Sequence, residues 1–481
     1  MTDELRIEKD SMGEVKVPKD ALYAAQTQRA VDNFPVSGIP IRRPLIAALG
    51  MIKSSAARVN GTSGAIPEEL AALIQSAAQE VIEGKLDEHF PIDIYQTGSG
   101  TSSNMNANEV IANRASQLSA EKNLKVHPND HVNCGQSSND TFPTAIRIAA
   151  VMETQADLIP ALKELIKAFQ DKGAEYAHVV KTGRTHLMDA MPVTLEQEFG
   201  GYARQLELGI ERLQSSLERM RELPMGGTAV GTGINTPPEF PPAFAEEVSK
   251  LSGESMREAE NHFEAQSTVD APVEMSGQLK TIAVGLLKIV NDLRWMNSGP
   301  NAGLGEIQLA ALQPGSSIMP GKVNPVIEES TAMVCAQVIG YDSAISVGGL
   351  SGNFELNVML PMVAHSLLES IRLLAAASRN LAQRSVSRII VREEHIQSLV
   401  GRNPILVTTL NPLIGYDLAA KIAKTAFAKN RPLLEVAKEM CDLPEDELKK
   451  ALDPAKMTQG GLVEERVCKS LSGWNFKMTN L

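Results

Sequence analysis

The chain is poor in aromatic residues, sparing with cysteine and without a basic surplus, and each shortage closes off a class of protein. Phe, Trp and Tyr together make up 4% of 481 residues. Strands lean on aromatic and β-branched side chains, so a composition rich in Ala, Leu, Met and Glu favours helix. The four cysteines, Cys134, Cys335, Cys441 and Cys468, stand apart from one another. With no CxxC pair and no close-set trio, the spacing of a cysteine-held iron–sulfur cluster is excluded, and isolated thiols of a reducing compartment remain. Lys and Arg number 46 against 58 Asp and Glu, a net charge of −12. Nucleic acid and anionic membranes reward a basic surface, so neither is an expected partner. The first residues, Met1-Thr2-Asp3-Glu4, lack a signal peptide's apolar run and a transit peptide's acid-poor bias. No stretch reaches the roughly 18 apolar residues of a membrane span. A cytoplasmic protein is the expectation.

What is present is helical periodicity. Leu158, Leu162, Leu165, Ile166 and Phe169 form one stripe. A second, Phe199, Ala203, Leu206, Ile210, Leu213, Leu217 and Met220, opens at a capping box of Thr194 with Gln197 and stops at Pro224. A third runs through Met275, Leu279, Ile282, Leu286, Ile289 and Leu293. A fourth follows Pro325, and a fifth follows Pro361 with Val363, Leu367, Ile371 and Leu374. Helices of about 20 to 35 residues, well beyond the ~11–12 of a usual helix, bury such stripes only against one another. An all-α fold built on a long-helix bundle is therefore expected. Stripes this long are not covered within one chain, so an oligomer is expected too. Residues 1–138 are more mixed, with short segments, and form an N-terminal domain. Residues 139–392 form the bundle domain. From 393 to 481 the runs shorten and prolines return (Pro404, Pro412, Pro432, Pro444, Pro454), marking a small C-terminal helical domain.

Four segments of small polar residues and glycine interrupt this texture. They are Thr97–Thr101, Gln136–Asp140, Gly183–His186 and Gly315–Pro325, each read as lying just ahead of a helix. Helix N-termini present unsatisfied N–H groups and partial positive charge, so several converging there suit a carboxylate. Singly, each reads as an ordinary cap or turn; four together point to a site. Nucleotide-binding readings fail: Gly98–Ser103 lacks the third glycine of GxGxxG, and Gly226–Gly233 lacks the Lys-Ser/Thr end of a phosphate loop. The latter reads equally well as a tight connection. Gly and Pro flank Ser316 in a loop able to move, Lys322 and Asn324 add a cation and an amide, and Asn324-Pro325 fits an N-cap and N1 pair. Such a loop can pair a weak base with groups that stabilise an oxyanion.

GSSIMPGKVNP at 315–325 closely resembles the signature loop of the fumarase/aspartase superfamily, and the other three segments follow in that family's order over essentially the whole chain. Two choices resemble its class II fumarase branch: His186, where aspartases carry Gln, and Gly321, where they carry Ala. The resemblance implies a homotetramer that hydrates fumarate reversibly to L-malate in the tricarboxylic acid cycle, with no cofactor and no metal. It implies that Ser316 is the base at C3, that Lys322 and Asn324 hold the aci-carboxylate, and that His186, paired with Glu329, handles the hydroxyl. Ser99, Gly100, Thr101, Ser137, Ser138, Asn139, Thr185 and Ser317 match substrate-binding positions. His127, Asn129 and Asp130 match a second, outer anion site. There Leu124 replaces a basic residue of some members and leaves Lys125 alone, and Cys134-Gly135 departs from a Lys-Ser pair. The alternatives are aspartate ammonia-lyase, against which His186 and Gly321 weigh, and a non-catalytic helical oligomer, which would be expected to have lost Ser316, Lys322 or His186.

Overall fold

The computed structural model describes residues 4–122 and 124–460; Cys468 lies outside them. The chain divides into two compact units. The first holds the stretch up to Lys163 with Glu207–Leu287 and Thr331–Ser378; the second holds Glu164–Leu206, Lys288–Ser330 and the stretch from Arg379 onward.

A hairpin of β1 (Leu5–Asp10) and β2 (Gly13–Pro18) leads into α1 (Ala25–Asn33), α2 (Arg43–Thr62), α3 (Glu68–Ile82), α4 (Thr101–Leu118) and α5 (Ser138–Glu153). A π-helical turn, Thr154–Leu158, joins α5 to α6 (Ile159–Glu175). The hairpin of β3 (Val180–Thr185) and β4 (Met188–Thr194) precedes α7 (Leu195–Met220). Then come β5 (Glu222–Leu223), α8 (Phe240–Ser252), β6 (Arg257–Glu258), α9 (His262–Ser267) and α10 (Asp270–Met296). After β7 (Ile307–Gln308) follow α11 (Val326–Leu350), α12 (Leu360–Arg384) and β8 (Ile390–Val391). Short helices end the described chain: α13 (Glu393–Val400), α14 (Asn411–Ile414), α15 (Tyr416–Lys429), α16 (Leu433–Met440), α17 (Glu445–Ala451) and α18 (Pro454–Met457). The fold is all-α, with strands confined to two-stranded ribbons.

The periodic residues become core. Every member of the α7 and α10 stripes is buried, as are Val363, Leu367, Ile371 and Leu374 of α12. Each such large apolar side chain contributes about 1.5–3 kcal/mol on leaving water. The capping box forms as expected: Gln197 N–H donates to Thr194 Oγ1 at 3.0 Å, and Thr194 N–H to Gln197 Oε1 at 2.9 Å. In the second unit Phe169 meets Phe199 and Tyr202 edge-on, centroids 5.7 and 5.6 Å apart.

Two expectations need correction. Before residue 138 the helices are longer than short segments: α2 has 20 residues and α4 has 18. α2 is buried almost all round, and α4 buries Ser103, Asn104, Asn106, Asn108 and Glu109, so neither carries a single apolar stripe to betray it. Secondly, α11 and the helix from Leu360 are long and apolar enough to cross a membrane by length and composition, although charged residues interrupt both sequences. The latter is mostly buried inside the protein. α11 leaves Met333, Val347 and Leu350 exposed, Leu350 at 86%.

Candidate active site

In the first unit, two turns at helix starts carry the expected contact residues. The turn Thr97–Thr101 opens α4, with Gly100 as N-cap at φ +73°. A Cβ at Gly100 would sit 2.2 Å from the Phe142 ring, and one at Gly98 would lie 1.8 Å from Val358 O, so the close approach demands glycine at both. Ser99 Oγ and Thr101 Oγ1 are hydrogen-bonded at 2.8 Å. The second turn opens α5. Ser137 Oγ accepts from Asn139 N–H at 3.2 Å, and Asp140 Oδ1 accepts from Ser137 N–H at 2.9 Å. Asp140 Oδ2 also accepts N–H bonds from Gly226 (3.1 Å) and Thr228 (2.9 Å), and Asn139 Nδ2 donates to Ala229 O at 2.8 Å. The Gly226–Gly233 loop is thus a wall packed against the α5 turn. Burial pushes the Asp140 carboxyl up to about 6 against these donors.

His127 caps a π-helical turn, Pro128–Val132, its Nδ1 accepting from Asp130 N–H at 3.1 Å. His127, Asn129 and Asp130 are exposed on this turn.

In the second unit the Gly183–His186 segment departs from expectation: it precedes no helix. Thr185 ends β3, and His186-Leu187 is the two-residue turn of the hairpin, at φ 55° and 59°. Such turns require positive φ at both positions and normally use Asn-Gly, so holding His and Leu there costs about 1–3 kcal/mol each. The result is an exposed imidazole at a hairpin tip. Its base is anchored below: Arg184 binds Glu306 through two bonds of 3.0 and 2.8 Å, and Lys181 lies 3.3 Å from Glu306 and 2.8 Å from Glu198. Lys181 and Glu306 are buried.

The Gly315–Pro325 loop is folded back on itself. Gly315 N–H donates to Lys322 O at 2.8 Å, and Asn324 Nδ2 to Gly315 O at 2.7 Å. The Asn324 side chain therefore ties the loop together, and the helix begins one residue later than the N-cap reading, at Val326. Ser316 Oγ accepts N–H bonds from Ile318 (3.2 Å) and Met319 (3.0 Å), an arrangement that stabilises negative charge on the oxygen. Ser317, Ile318 and Met319 are exposed. Lys322, Asn324 and Glu329 line one cavity of about 770 Å³ with Arg294 and Arg392. His186 and Thr185 do not line it, and among the described residues no ion pair joins His186 to Glu329.

The sequence reading missed Asp140, Asn104, Lys53 and Glu306 as supports. A lysine as the single charge in the Leu45–Ala57 stretch was the available signal.

Hydroxyl and amide turns at helix starts, a serine–lysine–asparagine loop and long packed helices together define a helical lyase. Residues 13–340 match the family model described as lyase, and residues 406–459 that described as fumarase C C-terminus. A fumarate hydratase class II from Xylella fastidiosa is 55% identical over 461 residues, 96% of this chain and 97% of that relative. A fumarate hydratase class II 2 from Pseudomonas aeruginosa is 54% identical, over 96% of this chain and all (100%) of its own. The crystal structure of a class II fumarase from Schistosoma mansoni superposes with a TM-score of 0.92 at 39% identity, covering 95% of this chain and 99% of that one. The chain belongs to the class II fumarate hydratase family.

Proposed function

We propose that this protein is a fumarate hydratase interconverting fumarate and L-malate, working without metal as a soluble, cytoplasmic homotetramer. In the dehydrating direction Ser316 takes the proton from C3 of malate. The electron pair left behind delocalises into the neighbouring carboxylate as an aci-carboxylate. Lys322 supplies its charge to that group, and Asn324 donates its second amide hydrogen, the first being held by Gly315 O. The C2 hydroxyl then leaves as water, protonated from the side of His186, with Glu329 favouring the charged imidazole. Thr101, Ser137, Ser138, Asn139, Thr185 and Ser317 contact the carboxylates, with Ser99 and Gly100 shaping the first turn. His127, Asn129 and Asp130 form the outer anion site. The observation that carries the reading is Ser316 Oγ under two backbone N–H donors, in the loop that also brings Lys322 and Asn324.

Each site draws on three chains. Two observations support this: α11 exposes large apolar side chains in a lone chain, and His186 makes no ion pair with Glu329 among the described residues. The test of the reaction is the loss of fumarate absorbance with water alone and with ammonia added. Loss with water alone is expected. Loss that requires ammonia would make the protein an aspartate ammonia-lyase instead.

A further inference from the structure

Lys53, on α2, is wholly buried. Its ammonium donates to Asn133 Oδ1 at 3.0 Å and to Gln136 Oε1 at 2.9 Å, and among the described residues no carboxylate pairs with it. Burying a charge on two neutral amides is costly, and a methionine of similar volume would fill the space without that cost. The return lies in what the lysine dictates. An ammonium only donates, so both amides must turn their oxygens toward it. Asn133 Oδ1 then requires donors from its other neighbours, and receives Asn104 Nδ2 at 3.2 Å and Asn108 Nδ2 at 3.1 Å. With its amide oriented this way, Asn104 donates its other hydrogen to Ser138 Oγ at 3.0 Å. The Ser138 oxygen is thereby used as an acceptor, and its own hydrogen is left to donate elsewhere.

We propose that Lys53 is a positioning residue for the substrate carboxylate: through Asn133 and Asn104 it sets the donor–acceptor direction of a buried relay that makes the Ser138 hydroxyl a donor. Asn133 Nδ2 also donates to Gln136 O at 3.1 Å. Without the lysine that bond is left to oppose the exchange of oxygen for nitrogen at Asn133, and where Asn133 reverses, Asn104 reverses with it. Ser138 would then spend its hydrogen inward and face the carboxylate with lone pairs. Burial also draws the lysine ammonium down to about 7, the Asp140 charge opposing it, so an anion bound at this turn favours the charged, orienting form. The inference rests on the reading of Ser138 as a carboxylate contact.

The experiment is a double-mutant cycle of Lys53→Met and Ser138→Ala, read as KM and kcat for fumarate and as succinate affinity by calorimetry. Ser138→Ala and Lys53→Met are each expected to raise KM and the succinate Kd by about tenfold or more, the loss of one hydrogen bond to a charged group, with kcat within about threefold. In the double mutant the losses should not add, because Lys53 acts through Ser138. Additive losses, or a Lys53→Met enzyme with unchanged KM, would overturn the relay. If Ser138→Ala leaves KM unchanged, the carboxylate reading itself fails and the inference falls with it. Should Lys53→Met not assemble, Asn104→Ala in the same cycle interrupts the relay at its middle and is held to the same outcome.

Discussion

The turn proposed to hold carboxylate in the first unit and the groups proposed to react in the second are built on opposite plans. Behind Ser137–Asn139 lie buried Asp140, Asn104 and Lys53, each committed to hydrogen bonds that fix the turn before any ligand arrives. His186 instead stands exposed on a strained two-residue turn, and Ser316 sits in a loop whose Ile318 and Met319 face solvent. On the proposed roles, the recognition turn is fixed within one chain while the hairpin tip and the serine loop stand open to solvent. The base of the hairpin is secured by Glu306 and that of the loop by Asn324.

The largest expected effect tests that division. Ser316→Ala and His186→Asn should each lower kcat by about 10²–10⁴-fold, as for lost acid–base groups, while succinate affinity stays within a few-fold. Equal losses in kcat and in succinate affinity would show that reacting and binding groups are not separate. Next comes co-expression of these two dead variants in equal amounts. If Ser316 and His186 of one site come from different chains, random tetramers regain about a quarter of wild-type activity. Mixed tetramers with no recovered activity would put both residues in one chain.

Glu306→Gln should be smaller in rate and larger in stability. It leaves Lys181 and Arg184 short of their shared buried carboxylate, a loss of about 3–5 kcal/mol for a broken buried pair. Thermal unfolding should register that loss, and kcat should fall further than KM rises if the hairpin base aims His186.

Lys53 supplies a pH test of the buried side. Its folded value, about 7, lies below the ordinary 10.5. A depressed value contributes stability that is present above the unfolded value and lost as pH falls through the folded one. Wild type should therefore gain stability over Lys53→Met as pH rises from about 7 to about 10. Asp140, raised to about 6, acts with opposite sign but has finished titrating below that window. A constant difference between the two proteins across the window would refute the linkage. Smallest of all, thorough chelation should leave kcat unchanged; activity restored only by added iron or zinc would contradict a metal-free reaction.

The same contrast explains what the sequence disclosed. The stripes of α7, α10 and α12 were legible because one face is buried and the other wet, and periodicity records that difference. α4 was not, since it buries Ser103, Asn104, Asn106, Asn108 and Glu109, which hydropathy reads as surface, beside Met105, Val110 and Ile111. The Ser316 loop was legible from Gly, Pro and the residues between them. The hairpin under His186 was hidden because His-Leu carries none of the Asn-Gly chemistry that normally announces such a turn. Glu306 lies 122 residues from its partner Arg184, a distance across which local pattern is silent.

The pairing of β3 with β4 shifts register between Thr182 and Arg184, and that shift lets Lys181 and Arg184, three apart in sequence, meet the same carboxylate. Length at this tip is therefore not neutral. One residue added between Thr185 and Met188 would slide β3 against β4 and turn alternate side chains to the other face. The insertion would be felt at Glu306 as well as at His186, so a lesion at the surface becomes a lesion in the interior. Surface loops usually absorb changes in length; this one transmits them.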